Sequence, residues 1–258
     1  PNKDKRMPKI IAAAVVRMGS SRLPGKTLME VAGKPLLGHL LDRLKQCETL
    51  DGIVVATTIK EADDAIAYFC QNNSMPCFRG SEDDVLERMV GAYQMLGAEI
   101  GVEAFGDGPL IDPAVVDRIV NAYLNADGAY HLVGNDMKTT YPPGMDVEAF
   151  DIDALEDADR RATAPSIREH GTGYIRQNPD IYRLLNLEAS GLERRPDLTI
   201  EVDTDEDFEV IRAIIEHFHP RNNYSLAEII SFLDANPDIA TINKDVHRRW
   251  KQYRQDDD

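Results

Sequence analysis

Seven consecutive apolar residues, Ile10 to Val16, run without a polar break into the turn-forming stretch Arg17-Met18-Gly19-Ser20-Ser21-Arg22-Leu23-Pro24-Gly25-Lys26. A strand with one wet face alternates; an unbroken run is how a strand covered on both faces of a parallel sheet reads. Such a strand demands helices above and below it. The following residues supply them. Pro35 opens a helix with Leu36, Leu37, Leu40, Leu41 and Leu44 on one face, and Ile53-Val54-Val55 then forms a strand ending at Thr57-Thr58. The alternation continues through a helix near 61–72, a short strand at Cys77-Phe78, a helix carrying Val85, Leu86, Met89, Val90, Tyr93 and Leu96, and a strand at 99–105. Asp112 and Pro113 read as N-cap and first residue of a helix bearing Val115, Val116, Ile119, Val120 and Tyr123. An α/β fold follows, a mostly parallel sheet with helices on both faces.

The second half reads differently. From 129 to 150 short strand-like pieces are separated by Gly134-Asn135-Asp136 and Pro142-Pro143-Gly144, which predicts a β-rich arm or insertion. Helices are expected at 152–161 and 165–177. A strand ending at Val202 should complete the sheet before a helix with Val210, Ile211, Ile214, Ile215 and Phe218. Ser225-Leu226-Ala227-Glu228 is a capping box that starts a C-terminal helical tail, anchored by Trp250 and Tyr253. A length of 258 residues suits a single domain spanning 1–258.

Charge limits the partners. Lys plus Arg number 29 against 45 Asp plus Glu, a net charge of −16, which argues against non-specific nucleic-acid binding. The first fifty residues nevertheless carry a local balance of +6. Lys3 to Arg6 read as a solvated basic tip, whereas Arg17, Arg22 and Lys26 directly follow the buried strand and read as an anion site. No apolar run approaches the roughly 20 residues of a membrane span, so neither membrane insertion nor a secretory signal is expected. Cys47, Cys70 and Cys77 make neither an even disulfide set nor a CxxC pair, which points to a reducing, cytoplasmic setting.

Three places carry chemistry. In the 17–26 loop, Gly19 and Gly25 allow tight turns that aim N–H groups and the Ser20 and Ser21 hydroxyls at an anion, with Arg17, Arg22 and Lys26 supplying charge. Each cation–phosphate contact is worth roughly 4 kcal/mol at ~4 Å before desolvation, so three suit a triphosphate. The spacing is not that of a Walker A loop. Asp107, in Gly106-Asp107-Gly108-Pro109, should fall at the carboxyl end of a strand, where such sheets bind ligands. Asp203 ends another strand; Thr204 can cap the next helix, with Asp205, Glu206 and Asp207 in its first turn, leaving Asp203 for another task. Two carboxylates beside a triphosphate loop make an oxygen site for Mg²⁺. His217-x-His219 points to opposite sides of a helix and predicts no metal pair.

These motifs resemble the cytidylyltransferases that activate acidic sugars, and within them the spore coat polysaccharide biosynthesis protein F type, related to CMP-Kdo synthetase and acylneuraminate cytidylyltransferase. The resemblance is carried by Ala14 to Lys26 with Gly33-Lys34-Pro35-Leu36-Leu37, Val54 to Thr58, Phe78 to Leu86, Gly106-Asp107 with Pro109 to Pro113, Tyr141 to Glu148, Arg168-Glu169-His170 and Val202-Asp203-Thr204. It implies a Rossmann-like nucleotide-diphosphosugar-transferase fold, a β-rich arm used in a homodimer, CTP as donor, an acidic sugar or related acceptor, and Mg²⁺. By the same resemblance Arg17 and Lys26 contact the phosphates, while Arg79, Gly80 and Ser81 lie near the nucleoside. Ala14, Val16, Gly19, Ser20, Ser21, Arg22, Thr57 and Asp107 complete the nucleotide site. Asp107 and Asp203 hold metal, and Asp146, Glu148, Arg168 and His170 face the acceptor. The chain departs from the family pattern at Glu103, Phe105 and Gly108, where Arg-x-Thr-Gly-Asp-Cys is usual, at Asp205, and at His170-Gly171-Thr172-Gly173. The metal aspartates are intact; these changes bear on the acceptor and, to a lesser degree, on the base. A non-catalytic nucleotide-binding relative and a transferase using another nucleoside triphosphate with a sugar phosphate are the competing readings.

Overall fold

A computed structural model of the chain describes residues 7–248 and 250–251. The basic tip at Lys3 to Arg6 and the anchor at Tyr253 lie outside the described residues. The strands are β1 (Ile10–Val15), β2 (Glu30–Val31), β3 (Lys34–Pro35), β4 (Gly52–Thr58), β5 (Cys77–Gly80), β6 (Ile100–Phe105), β7 (Leu132–Gly134), β8 (Val147–Asp151) and β9 (Leu184–Asn186). The helices are α1 (Leu36–Leu44), α2 (Asp64–Asn72), α3 (Val85–Leu96), α4 (Pro113–Asn125), α5 (Ile152–Arg161), α6 (Pro165–Arg168), α7 (Gly173–Gln177), α8 (Asp205–Phe218), α9 (Leu226–Ala235) and α10 (Pro237–Ala240).

Seven strands form one sheet in the order β5-β4-β1-β6-β8-β7-β9, and β2 with β3 make a separate two-stranded ribbon. β1 sits inside the sheet, parallel to β4 on one side and to β6 on the other, with Val15 opposite Ala56 and Phe105. β8 alone runs against its neighbours in this sheet, antiparallel to β6 and β7, while β9 is parallel to β7. The unbroken apolar run of β1 has its expected cause. Ile10, Ala12 and Ala14 pack with α1, α4 and α8, and Ile11 and Ala13 pack with Leu86, Met89 and Tyr93 of α3.

The β-rich stretch at 129–150 is present, and its strands β7 and β8 are built into the central sheet, with residues 139–150 buried within the single chain. Two expectations need correction. The segment 165–177 is two short helices, because the chain at 169–172 dips toward the sheet: a Cβ on Gly171 would stand 2.0 Å from Met89 Sδ. No strand forms at 198–202. That segment is extended but bonds only to loops, Ile200 N–H to the Pro143 carbonyl at 2.8 Å and Val202 N–H to the Asp107 carbonyl at 2.7 Å, and β9 completes the sheet edge instead. No helix of the described residues is long and apolar enough to cross a membrane, and Cys47, Cys70 and Cys77 are free thiols.

Candidate active site

The loop after β1 is closed by its own backbone. Gly25 N–H donates to the Met18 carbonyl at 2.9 Å, and Thr27 Oγ1 donates to the Arg17 carbonyl at 3.0 Å. Asp63, 2% exposed, fastens the loop from outside by accepting Met18 N–H at 2.6 Å while also accepting the Thr58 hydroxyl. Two of the loop's cations turn inward to one carboxylate. Lys26 Nζ lies 2.9 Å from Asp203 Oδ1, Arg22 pairs with Oδ2, and Lys26 also donates to the Val202 carbonyl at 2.5 Å. Arg17 stands half-exposed, 3.7 Å from Glu82.

Asp203 is held for this by the start of α8. Thr204 caps the helix in a reciprocal box with Asp207, as its sequence predicts. Asp207 is itself clamped by Arg248, at 2.7 and 2.9 Å, and by Asn243 Nδ2 at 2.7 Å, and it accepts the Asp203 N–H at 3.0 Å. The bond from Val202 N–H to the Asp107 carbonyl then joins the end of β6 to this segment. As a result Asp107, Glu201 and Asp203 each offer a carboxylate oxygen within 4.8 Å of the others. Glu201 was not foreseen: an acid between Ile200 and Val202 reads as the solvent side of a strand, yet it is 2% exposed and accepts Trp250 Nε1–H at 2.7 Å.

Such an all-oxygen set fits a hard divalent cation, which takes one or two carboxylates plus phosphate and water. The crowding has an electrostatic signature. Burial pushes Asp107 up to about 6, with Lys26 opposing and Asp203 adding to the rise. Burial also raises Glu201 to about 8, helped by Asp107 and Asp146. Carboxyl groups held together this way resist ionising side by side, a repulsion that a bound cation would relieve.

A cavity of about 1070 Å³ opens beside this cluster at the carboxyl ends of the strands. Of the expected residues, Val16, Arg17, Ser20, Ser21, Arg22, Lys26, Asp107, His170 and Asp203 line it. Others are placed elsewhere. Ala14 is fully buried in β1 and Thr57 in β4. Gly19 stays outside the lining, in the loop near Glu82. Arg79 is spent on the Thr58 and Lys60 carbonyls and on Asp64 at 2.7 Å, and Ser81 Oγ accepts the Asp84 N–H. Gly80 packs against Arg88 and Phe78. Arg168 braces Asp84 at 2.6 Å and Asp159 at 2.5 Å, away from the lining. Asp146 is buried under the Gly144 turn, accepting its N–H at 3.3 Å. Glu148 lies fully buried behind the wall, where Thr172 Oγ1 donates to it at 2.5 Å and Arg176 reaches it at 3.2 Å. His217 stacks on Phe232 with centroids 4.2 Å apart and does not line the cavity.

The wall opposite the metal-type cluster holds residues whose identity sequence reading did not exploit. Arg88 and Glu103 both line the cavity at 2% and 5% exposure, and Asp136 joins them at 1%.

An open, mostly parallel sheet with a cationic loop after its first strand and a carboxylate cluster beside the carboxyl ends of its strands is the layout of a ligand-binding α/β protein. The comparisons narrow this class. A cytidylyltransferase family profile matches residues 10–236. The chain is 37% identical over 247 residues to the uncharacterised protein MJ1063 of Methanocaldococcus jannaschii, covering 96% of this chain and 98% of that one. It is 35% identical over 230 residues to the spore coat polysaccharide biosynthesis protein SpsF of Bacillus subtilis, covering 87% and 94%. The solved structure of a cytidylyltransferase from Leptospira borgpetersenii superposes with a TM-score of 0.84 at 30% identity, covering 93% of this chain and 98% of that one. The chain belongs to the cytidylyltransferase family and is a nucleotidyltransferase.

Proposed function

We propose that this chain transfers CMP from CTP to a hydroxyl of an acidic sugar or related acceptor, releasing pyrophosphate, in glycan biosynthesis. One observation carries the reading: Lys26 and Arg22 of the anion loop meet Asp203 beside Asp107, at the mouth of the cavity. The acceptor oxygen forms a bond to the α-phosphorus, the bond to the bridging oxygen breaks, and the hydroxyl proton departs. Arg17, half-exposed at the rim, meets the triphosphate; Lys26 and Arg22, already aimed at the site, balance charge gathering on the leaving pyrophosphate. Much of the acceleration comes from position, since the loop is closed by its own hydrogen bonds before ligand arrives. Asp107 and Asp203, with Glu201 beside them, would hold Mg²⁺, which when bound supplies a Lewis acid for the phosphate oxygens. No side-chain nucleophile is required.

Ser20 and Ser21 line the cavity where the phosphates would lie. Arg79, Gly80 and Ser81 do not line it and would act on the nucleotide through their neighbours, Arg79 by holding the Thr58 and Lys60 carbonyls and Gly80 and Ser81 by packing on Arg88. His170 is the acceptor-side residue of the expected set that reaches the cavity; Glu148 acts from behind through Thr172 and Arg176, and Asp146 and Arg168 hold the surrounding turns. A homodimer belongs to the same reading. With residues 139–150 buried inside one chain, its contact would fall on other surfaces. Pyrophosphate release measured across the four nucleoside triphosphates with a panel of acidic sugars tests the function. Release confined to CTP supports it, and tight CTP binding without release under any acceptor would leave a nucleotide-binding relative in its place.

A further inference from the structure

The cavity has a second end, lined by β6, the residues after β7 and the turn between α6 and α7. Glu103 of β6 and Glu148 of β8 are directly opposed in the antiparallel register, and their side chains share a face of the sheet. Like charges in that position repel, so an unassisted sheet disfavours the pair. Asp136 adds a third carboxyl, and Arg176 offers the only guanidinium in direct contact among the described residues, 2.6 Å from Asp136 and 3.2 Å from Glu148. Thr172 satisfies the other Glu148 oxygen at 2.5 Å.

Glu103 is left over. It is 5% exposed, lines the cavity, and among the described residues makes neither a hydrogen bond nor an ion pair. The turn at 169–173 closes over it only because residue 171 is glycine: a Cβ there would stand 3.2 Å from Glu103 Oε2 as well as striking Met89. A buried carboxyl without a partner is costly to keep. Facing a ligand cavity, it calls for a cationic or donor group brought by the ligand.

We infer that the acceptor carries a protonated amino group that Glu103 receives, so that the group bound at this end of the cavity is an ammonium, whatever acidic group the acceptor presents elsewhere. The inference rests on the cytidylyltransferase reading, because it names what the second end of the same cavity binds. Arg176 is committed to Asp136 and Glu148 and does not reach Glu103. An ammonium also draws Glu103 back to its ionised form, against the burial and the Asp136 charge that otherwise push it up to about 8.

Galactosamine, N-acetylgalactosamine and galacturonate share a ring and differ in charge, so calorimetric titration of each into CTP-saturated protein tests the inference. Galactosamine should bind roughly ten- to a hundredfold more tightly than the other two, and Glu103→Gln should abolish that preference. Glu103→Gln is close to isosteric, and its melting temperature reports folding independently. Equal binding of all three probes, no binding by galactosamine, tighter binding of galacturonate, or an unchanged order in Glu103→Gln would each overturn the inference. CTP titrated alone in the same series separates the two readings. If CTP binds and the amine preference is missing, this inference fails by itself; if CTP does not bind, the proposed function fails.

Discussion

Asp107 shows how much one side chain can be made to carry. Its carboxyl is raised by burial and by Asp203, restrained by Lys26, and placed within 4.8 Å of two other acids. Asp107→Asn keeps shape and removes charge, so pyrophosphate release should fall by about a hundredfold or more while the melting temperature holds; turnover near that of the unaltered protein would reject Asp107 as a metal ligand. Glu103 gives a pH prediction of definite sign. Its folded-state pKa of about 8 arises from burial, then Asp136, with Asp107 adding and Arg176 and Arg88 opposing. The folded chain therefore holds this proton more tightly than the unfolded chain. Its contribution is fully present below about pH 4.3 and is lost as pH rises through about 8. Relative to the unaltered protein, Glu103→Gln should gain stability across that window, by roughly 1–3 kcal/mol at the top. Denaturation midpoints at pH 5 and pH 8.5 that shift equally would contradict the assignment. The positions of the loop after β1 and of Asp107 were legible because each follows a strand at a turn, whereas Asp203 was read as ending a strand that does not form. Glu201 was not legible, since an acid inside a strand-like run looks the same whether it faces water or a cavity, and for that reason Glu103 stood out only as a departure from the family pattern.

Among the elements, α8 does the most to position the site. Asp207 completes the capping box at its start, accepts the Asp203 N–H and is held by Arg248, so residue 248 is tied to the metal-type cluster through one buried pair. Arg248 and Asp207 are 4% and 0% exposed as side chains. Arg248→Ala strands the Asp207 carboxylate, at a cost of about 3–5 kcal/mol, and should raise the KM for CTP as Asp203 loosens; a loss of stability with KM unchanged would show that the tie is purely structural. Local sequence announced α1, α2, α3, α4, α5 and α8, and α9 through the Ser225–Glu228 capping box. It could not announce the break between α6 and α7. That break is caused by Met89 and Glu103, which are distant in sequence and meet Gly171 only after the sheet forms. The run ending at Val202 misled for a related reason: it is extended and buried as a strand would be, but its hydrogen-bond partners are loop carbonyls.

At the scale of the whole molecule, one buried strand determines the plan. β1 is covered on both faces and paired on both edges, so the loop that follows it must emerge at the ligand-binding rim of the sheet. The opening fifty residues hold a local charge of +6 in a chain of −16, which puts a cationic loop against an acidic body. Association with CTP should accordingly slow as salt rises, and stopped-flow association rates at 0.05 and 0.5 M salt measure this; rates that do not change would show that the loop's charge does not steer. The most direct test of the central claim is diffraction from crystals grown with CTP and Mn²⁺, the manganese marking its own position by anomalous scattering. The account predicts a peak bound by Asp107 and Asp203, with the triphosphate lying against Arg17, Arg22 and Lys26. Manganese or nucleotide bound elsewhere, with these two carboxylates still paired only to Lys26 and Arg22, would contradict it.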